Sequence, residues 1–277
     1  MKNYLRKTVL FGLCFCMALS AAFVANPIKS EAGQIKGILT WNKTVSKKEC
    51  DINGDGKMDI ISIKTKMDEW DYYIERCSLY INGKKAFSMK NVNCLDVEAR
   101  FVAVTKKERY IQLTGYSENG YVEFSYLLKY QSGQLKKVKS FTVGTHRRDV
   151  VAISKKNLII ACQEQLALTG YIEYRVKYTK KAGKWVKATK TYPVKDSSWN
   201  GDGNCMYTSK KKVRLYKNRS CKGDYYVINA GKKFKLLKIR HGNDTTYGYF
   251  KCGKKYGWIN IDNYNNYGTF KNVMLAG

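Results

Sequence analysis

The chain has 277 residues, 51 of them Lys or Arg and 22 Asp or Glu, for a formal net charge of +29. Only two histidines are present, and no C-x-x-C or Cys/His spacing suggests zinc, so histidine-based catalysis and zinc chemistry have little to stand on. The charge favours polyanionic surroundings (wall teichoic acids, anionic lipid headgroups, acidic glycans or nucleic acid), although the lysines are spread along the chain, as on a soluble secreted surface.

The N-terminus is basic from Met1 to Lys7, apolar from Thr8 to about Ala25, and less apolar from Asn26 to Ala32. This is the layout of a secretory signal peptide over residues 1–32, with cleavage expected after Ala32 or earlier near Ser20 and Ala22. The alternative is an uncleaved membrane anchor, since the run is nearly long enough to span. Loss of residues 1–32 removes Lys2, Arg6, Lys7, Lys29 and Glu31, leaving 47 basic against 21 acidic residues, or +26. No second apolar span follows, so no membrane crossing is expected of the mature chain. Seven cysteines remain there; structural bridges are expected, with Cys162 in the apolar run Leu158–Cys162 reading as a buried free thiol.

The stretch Asp51-Ile-Asn53-Gly-Asp55-Gly-Lys57-Met-Asp59 places oxygen-bearing side chains at alternate positions with glycines between them. Such a loop can curl its oxygens toward a hard divalent cation, most naturally Ca²⁺, through Asp51, Asn53, Asp55, Asp59 and the Lys57 carbonyl. An apolar run, Ile60–Ile63, follows it, and position 12 is Ser62, where an EF-hand needs a bidentate Glu.

Two later segments resemble each other at an offset of about 49 residues: Phe101–Lys107 with Val150–Lys156, Arg109–Leu113 with Leu158–Cys162, and Gly120–Phe124 with Gly170–Tyr174. Each copy ends in a Gly/Lys-rich turn before a final strand. Alternation of β-branched and aromatic residues predicts short strands throughout. A third, less similar copy starts at the cation loop and contains the hairpin turn Asn82-Gly83. The expected fold class is therefore all-β: antiparallel β-meander repeats over residues 33–195, a polar linker over 196–204, and a small barrel over 205–277. Asn200-Gly-Asp202-Gly-Asn204, in the linker, reads as a glycine turn.

The loop at 51–59 and its following strand resemble the FG-GAP/VCBS family of extracellular repeats, in which such a loop joins two strands of a propeller blade and binds Ca²⁺. The resemblance implies a propeller-like arrangement with one structural calcium ion. Residues 205–265 resemble a bacterial SH3 (SH3b) domain, through Lys212-Val-Arg214-Leu, Asn229–Leu236 and Tyr249-Phe-Lys-Cys-Gly253-Lys-Lys-Tyr-Gly257-Trp258-Ile. It implies wall binding, with Arg214, Tyr216, Tyr249 and Trp258 near a ligand groove. Filling of the barrel core by Tyr249 and Trp258 is the competing reading.

No nucleophile elbow, H-E-x-x-H motif or phosphate loop is present, and the histidines, His146 and His241, fall in turns. The acidic residues Asp68, Glu69, Asp71 and Glu75 could supply a glycosidase pair, but a solvated loop is the better reading. The sequence thus points to a non-catalytic, secreted protein of the cell envelope. Its expected partner is a cell-wall polymer or another polyanion, with no specific nucleic-acid target. An accessory subunit offering an open sheet edge to a protein partner is the alternative; a cell-wall hydrolase of unrecognised fold is a remoter one.

Overall fold

A computed structural model describes residues 34–40, 45–70, 72–118, 120–141, 147–154, 156–196, 205–263, 267–271 and 273. The signal segment, His146, Asp71 and the Asn200–Asn204 turn lie outside the described residues. All regular structure among the described residues is β, in antiparallel sheets, as expected for the fold class. No helix among them is long and apolar enough to cross a membrane.

After β1 (Gln34–Thr40), the chain forms three successive four-stranded meanders. The first comprises β2 (Val45–Cys50), β3 (Asp59–Met67), β4 (Ile74–Ile81) and β5 (Lys84–Cys94). The second comprises β6 (Asp96–Ala103), β7 (Arg109–Tyr116), β8 (Val122–Gln131) and β9 (Gln134–Ser140), with β1 added outside β6. The third comprises β10 (Arg147–Ser154), β11 (Asn157–Leu166), β12 (Gly170–Lys181) and β13 (Lys184–Lys187).

The last hairpin of each meander turns on the same device. Asn82-Gly83, Ser132-Gly133 and Ala182-Gly183 lie fifty residues apart, and both residues of each pair have positive φ. Two consecutive left-handed residues give the turn whose twist matches that of the flanking strands.

The second sheet lies between the other two, which is why β6 and β7 are buried on both faces. Ala99, Phe101, Ile111 and Leu113 pack into one core with the first sheet, around Ile61, Ile63, Leu79 and Cys77. Val102, Val104, Tyr110 and Leu127 face the other way, into a core shared with Leu158, Ile160, Ile172 and Tyr178. Alternation along one strand thus supplies both interfaces.

The C-terminal unit holds β15 (Met206–Thr208), β16 (Val213–Tyr216), β17 (Tyr225–Ile228), β18 (Lys233–His241), β19 (Thr246–Cys252) and β20 (Lys255–Asn260). A short strand, β14 (Tyr192–Asp196), pairs with both β12 and β18, so the third meander continues into the C-terminal unit as one sheet. The core is continuous there too, reaching Tyr207, Phe234, Phe250 and Phe270.

Candidate functional site

The loop between β2 and β3 is braced from within. Asp51 Oδ1 accepts the Gly54 N–H at 2.6 Å and its Oδ2 accepts that of Gly56 at 3.0 Å. Asn53 Oδ1 accepts the Asp55 N–H, and Asp55 Oδ1 that of Lys57, each at 2.8 Å. Asp59 Oδ2 accepts the Ile52 N–H at 3.2 Å. The bond from Lys57 is the main cause of the lowered pKa of Asp55. Gly54 and Gly56 have φ of 86° and 87°, values that L side chains resist. A Cβ on Gly54 would also stand 2.5 Å from the Arg109 guanidinium.

Two residues outside the loop complete it. Arg109, at the start of β7, reaches across from the second meander and places Nη2 3.2 Å from Asp51 Oδ2; both side chains are buried. Its other terminal nitrogen donates to the Lys106 carbonyl. Asn82, in the β4–β5 turn, donates to Asp59 Oδ1 at 2.7 Å and accepts the Ile60 N–H at 2.8 Å. Arg109 carried a signal, since the matching residue of the next repeat is the apolar Leu158, buried in the core. Asn82 read only as a turn residue.

All donors of the loop are oxygens, the set a hard cation prefers. Three carboxylates outnumber the cations beside them, Arg109 and the exposed Lys57, so the loop keeps a negative balance within a strongly basic chain. Among the described residues, no three His, Cys, Asp or Glu side chains stand at metal-binding spacing. The loop carboxylates instead hold the loop's own N–H groups, Asn82 and Arg109. The donor chemistry thus fits a divalent cation, which would meet Arg109 as a competitor for Asp51.

In the C-terminal unit, the β-register aligns three of the four expected binding residues, Tyr216, Trp258 and Tyr249, on three neighbouring strands and adds Lys238 on a fourth. Tyr216 on β16 pairs with Trp258 on β20, Trp258 with Tyr249 on β19, and Tyr249 with Lys238 on β18. Tyr225 on β17 extends the row beyond Tyr216. Direct cross-strand partners share a face, so these side chains form one stripe. Tyr249 and Trp258 have ring centroids 4.9 Å apart, and Tyr216 and Tyr225 5.4 Å. Lys238 Nζ lies 4.6 Å from the Tyr249 ring centroid and 5.9 Å from that of Trp258. Arg214 sits over Tyr225 at 5.1 Å.

Trp258 is 9% exposed and forms the floor of the stripe, whereas Tyr225 is 42% exposed and Arg214 open to solvent. Glycine makes the row possible: a Cβ on Gly257 would stand 2.5 Å from the Tyr216 carbonyl oxygen. Lys238 and Tyr225 had not stood out in the sequence, because register decides that they join.

The remaining candidates are engaged structurally. Glu75 pairs with Lys66 at 2.7 Å, and that contact lowers its pKa, the opposite of what a general acid needs. Asp68 Oδ1 accepts the N–H groups of Tyr72 and Tyr73. His241, expected in a turn, is the last residue of β18; it contacts Thr246 and the Tyr174 hydroxyl at the junction of the third meander with the C-terminal unit. The bridges expected of the cysteines do not form at Cys77, Cys94, Cys221 or Cys252, which carry free thiols; Cys162 is buried, as expected.

Comparison with models of known protein families, with curated proteins and with solved structures finds no match to this chain.

Proposed function

We propose that this is a secreted, non-catalytic binding protein of the cell envelope or extracellular space. A calcium-stabilised β scaffold carries an SH3-like module that binds cell-wall or other polyanionic ligands. The observation that carries this reading is the cross-strand row Tyr225–Tyr216–Trp258–Tyr249–Lys238, with Arg214 beside it. Aromatic faces set among cations suit a chain that is part apolar and part anionic, and Tyr, Trp and Arg are enriched among the residues that carry binding energy at interfaces. The chain's charge adds a long-range, salt-sensitive attraction.

Three stacked four-stranded meanders support a propeller-like description of the scaffold. Asp51, Asn53, Asp55, Asp59 and the Lys57 carbonyl would hold the calcium ion. Its role would be to neutralise carboxylates and stiffen the loop between two strands of the first meander.

The test is retention of the full chain on purified cell walls across a salt series, with and without a chelator. Retention should fall steeply between about 50 and 200 mM salt. Binding indifferent to both salt and Ca²⁺ contradicts the reading. Cleavage of wall material, lost on changing Asp68 or Glu75, would favour a hydrolase instead.

A further inference from the structure

The geometry points to a ligand cleft at the seam between the third meander and the C-terminal unit, shaped for a phosphate-bearing, hydroxyl-rich chain. This deepens the polyanion reading above and rests on it. The cleft encloses about 620 Å³. Its floor is apolar: Leu168, from the turn between β11 and β12, meets Val213 and Ile259 of the C-terminal unit, and all three are buried. The Leu168 N–H donates to the Ile261 carbonyl at 3.0 Å, and the Tyr207 hydroxyl to the Thr169 carbonyl at 3.3 Å, which fixes the turn against the C-terminal unit.

Around this floor stand Lys211, Lys212, Arg214 and Lys222, all exposed. The lining contains no Asp or Glu, and none of the four cations is ion-paired with a carboxylate among the described residues. Asp224, nearby in sequence, pairs with Lys217 instead. Cations gathered in a concavity repel one another, and an anion entering between them relieves the repulsion.

The neutral part of the lining narrows the ligand. Part-exposed Asn260 and Asn263 bring amides to the lining and exposed Ser220 a hydroxyl, which donates to Asn218 Oδ1 at 2.7 Å and can accept from a hydroxyl of a polyol or sugar. Tyr216 and Arg214 belong both to the cleft and to the aromatic stripe, so a chain lying along the stripe runs into the cleft. Among the described residues four cations line the cleft against two aromatic residues, Tyr216 and Tyr247, a balance that favours a polyol phosphate over a nucleic acid, whose successive bases each seek an aromatic face.

The experiment measures affinity of the full chain for poly(glycerol phosphate), with glycerol phosphate, inorganic phosphate and a single-stranded DNA oligonucleotide of equal charge as comparators. Lys212→Glu/Lys222→Glu alters the cleft. Lys84→Glu/Lys85→Glu, at the exposed start of β5, makes the same change of net charge elsewhere. The cleft variant should lose at least about tenfold in affinity for poly(glycerol phosphate), and the control less than about twofold. Equal losses in both variants overturn the cleft while leaving charge-driven polyanion binding intact. Tighter binding of the DNA overturns the ligand class. Failure of the unaltered chain to bind any polymer overturns the polyanion reading itself.

Discussion

Replacing Arg109 with Met removes a buried cation while keeping much of its side-chain volume. Asp51, its partner at 3.2 Å, is buried as well. Breaking such a pair from one side costs about 3–5 kcal/mol, because the remaining charge stays buried without its counter-ion. Asp51 keeps the N–H groups of Gly54 and Gly56, so the cost should sit near the lower end, about 3 kcal/mol. For a chain of this size that amounts to a fall in Tm of roughly 6–12 °C. Urea denaturation in the presence of a chelator measures it. Saturating Ca²⁺ should then restore more stability to Arg109→Met than to the unaltered chain, because the guanidinium no longer competes for Asp51; at a hundredfold excess over Kd the gain from an ion is about 2.7 kcal/mol. A loss below about 1 kcal/mol in chelator would show that the pair does not hold the loop. Equal Ca²⁺ shifts in both proteins would show that ion and guanidinium do not share Asp51, and no shift in either would refute calcium binding.

Other perturbations probe separate parts of the molecule. Ala182 holds φ of 45° in the turn position that Asn occupies at residue 82; Ala182→Asn should raise stability by about 1 kcal/mol, read as a higher urea midpoint. Gly257→Ala should cost about 1–3 kcal/mol and speed hydrogen exchange in β16 and β20, since the added Cβ meets the Tyr216 carbonyl at 2.5 Å. Burial pushes the Cys77 and Cys94 thiols up to about 12, so alkylation of these two in the native state at pH 8 should be roughly a thousandfold slower than of an ordinary thiol. The folded chain holds these protons while the unfolded chain releases them above about pH 9. Each thiol's contribution is therefore intact below that pH and falls by about 1.4 kcal/mol per pH unit toward the folded value. Substituting Cys77 by Ala should flatten the alkaline decline of the urea midpoint, and an unchanged decline would contradict the assignment.

Much of the scaffold was legible because local pattern encodes it. Period-two alternation marked the strands, and recurring X-Gly turns marked the third hairpin of each meander. What escaped depends on partners distant in sequence. The pairing of β1 with β6 joins residues 34–40 to 97–103, which no local pattern announces. Strand β14 falls where the chain turns polar and contains Pro193, yet it pairs with strands on both sides. A proline in such a run argues against a strand, so the continuous sheet between the third meander and the C-terminal unit was hidden.

The candidate sites divide in the same way. Spacing alone marked Asp51 to Asp59 as one loop, because alternation of oxygen-bearing residues with glycines is a local motif. Arg109 was discoverable only as a charge at a core-facing repeat position. Tyr216, Tyr249 and Trp258 stood out by residue type, but their meeting in one row is a matter of register. The seam cleft depends on Leu168 meeting residues some forty to a hundred positions away, and nothing in either segment signals the other.

Binding through the aromatic stripe is tested most directly by wall retention of the double variant Tyr216→Ala/Tyr249→Ala at fixed salt, alongside its thermal melting curve. Both tyrosines are part-exposed members of the aromatic stripe. The double variant should melt cooperatively and lose at least about tenfold in affinity, equivalent to about 1.4 kcal/mol. Undiminished retention by a folded double variant would contradict binding through the stripe.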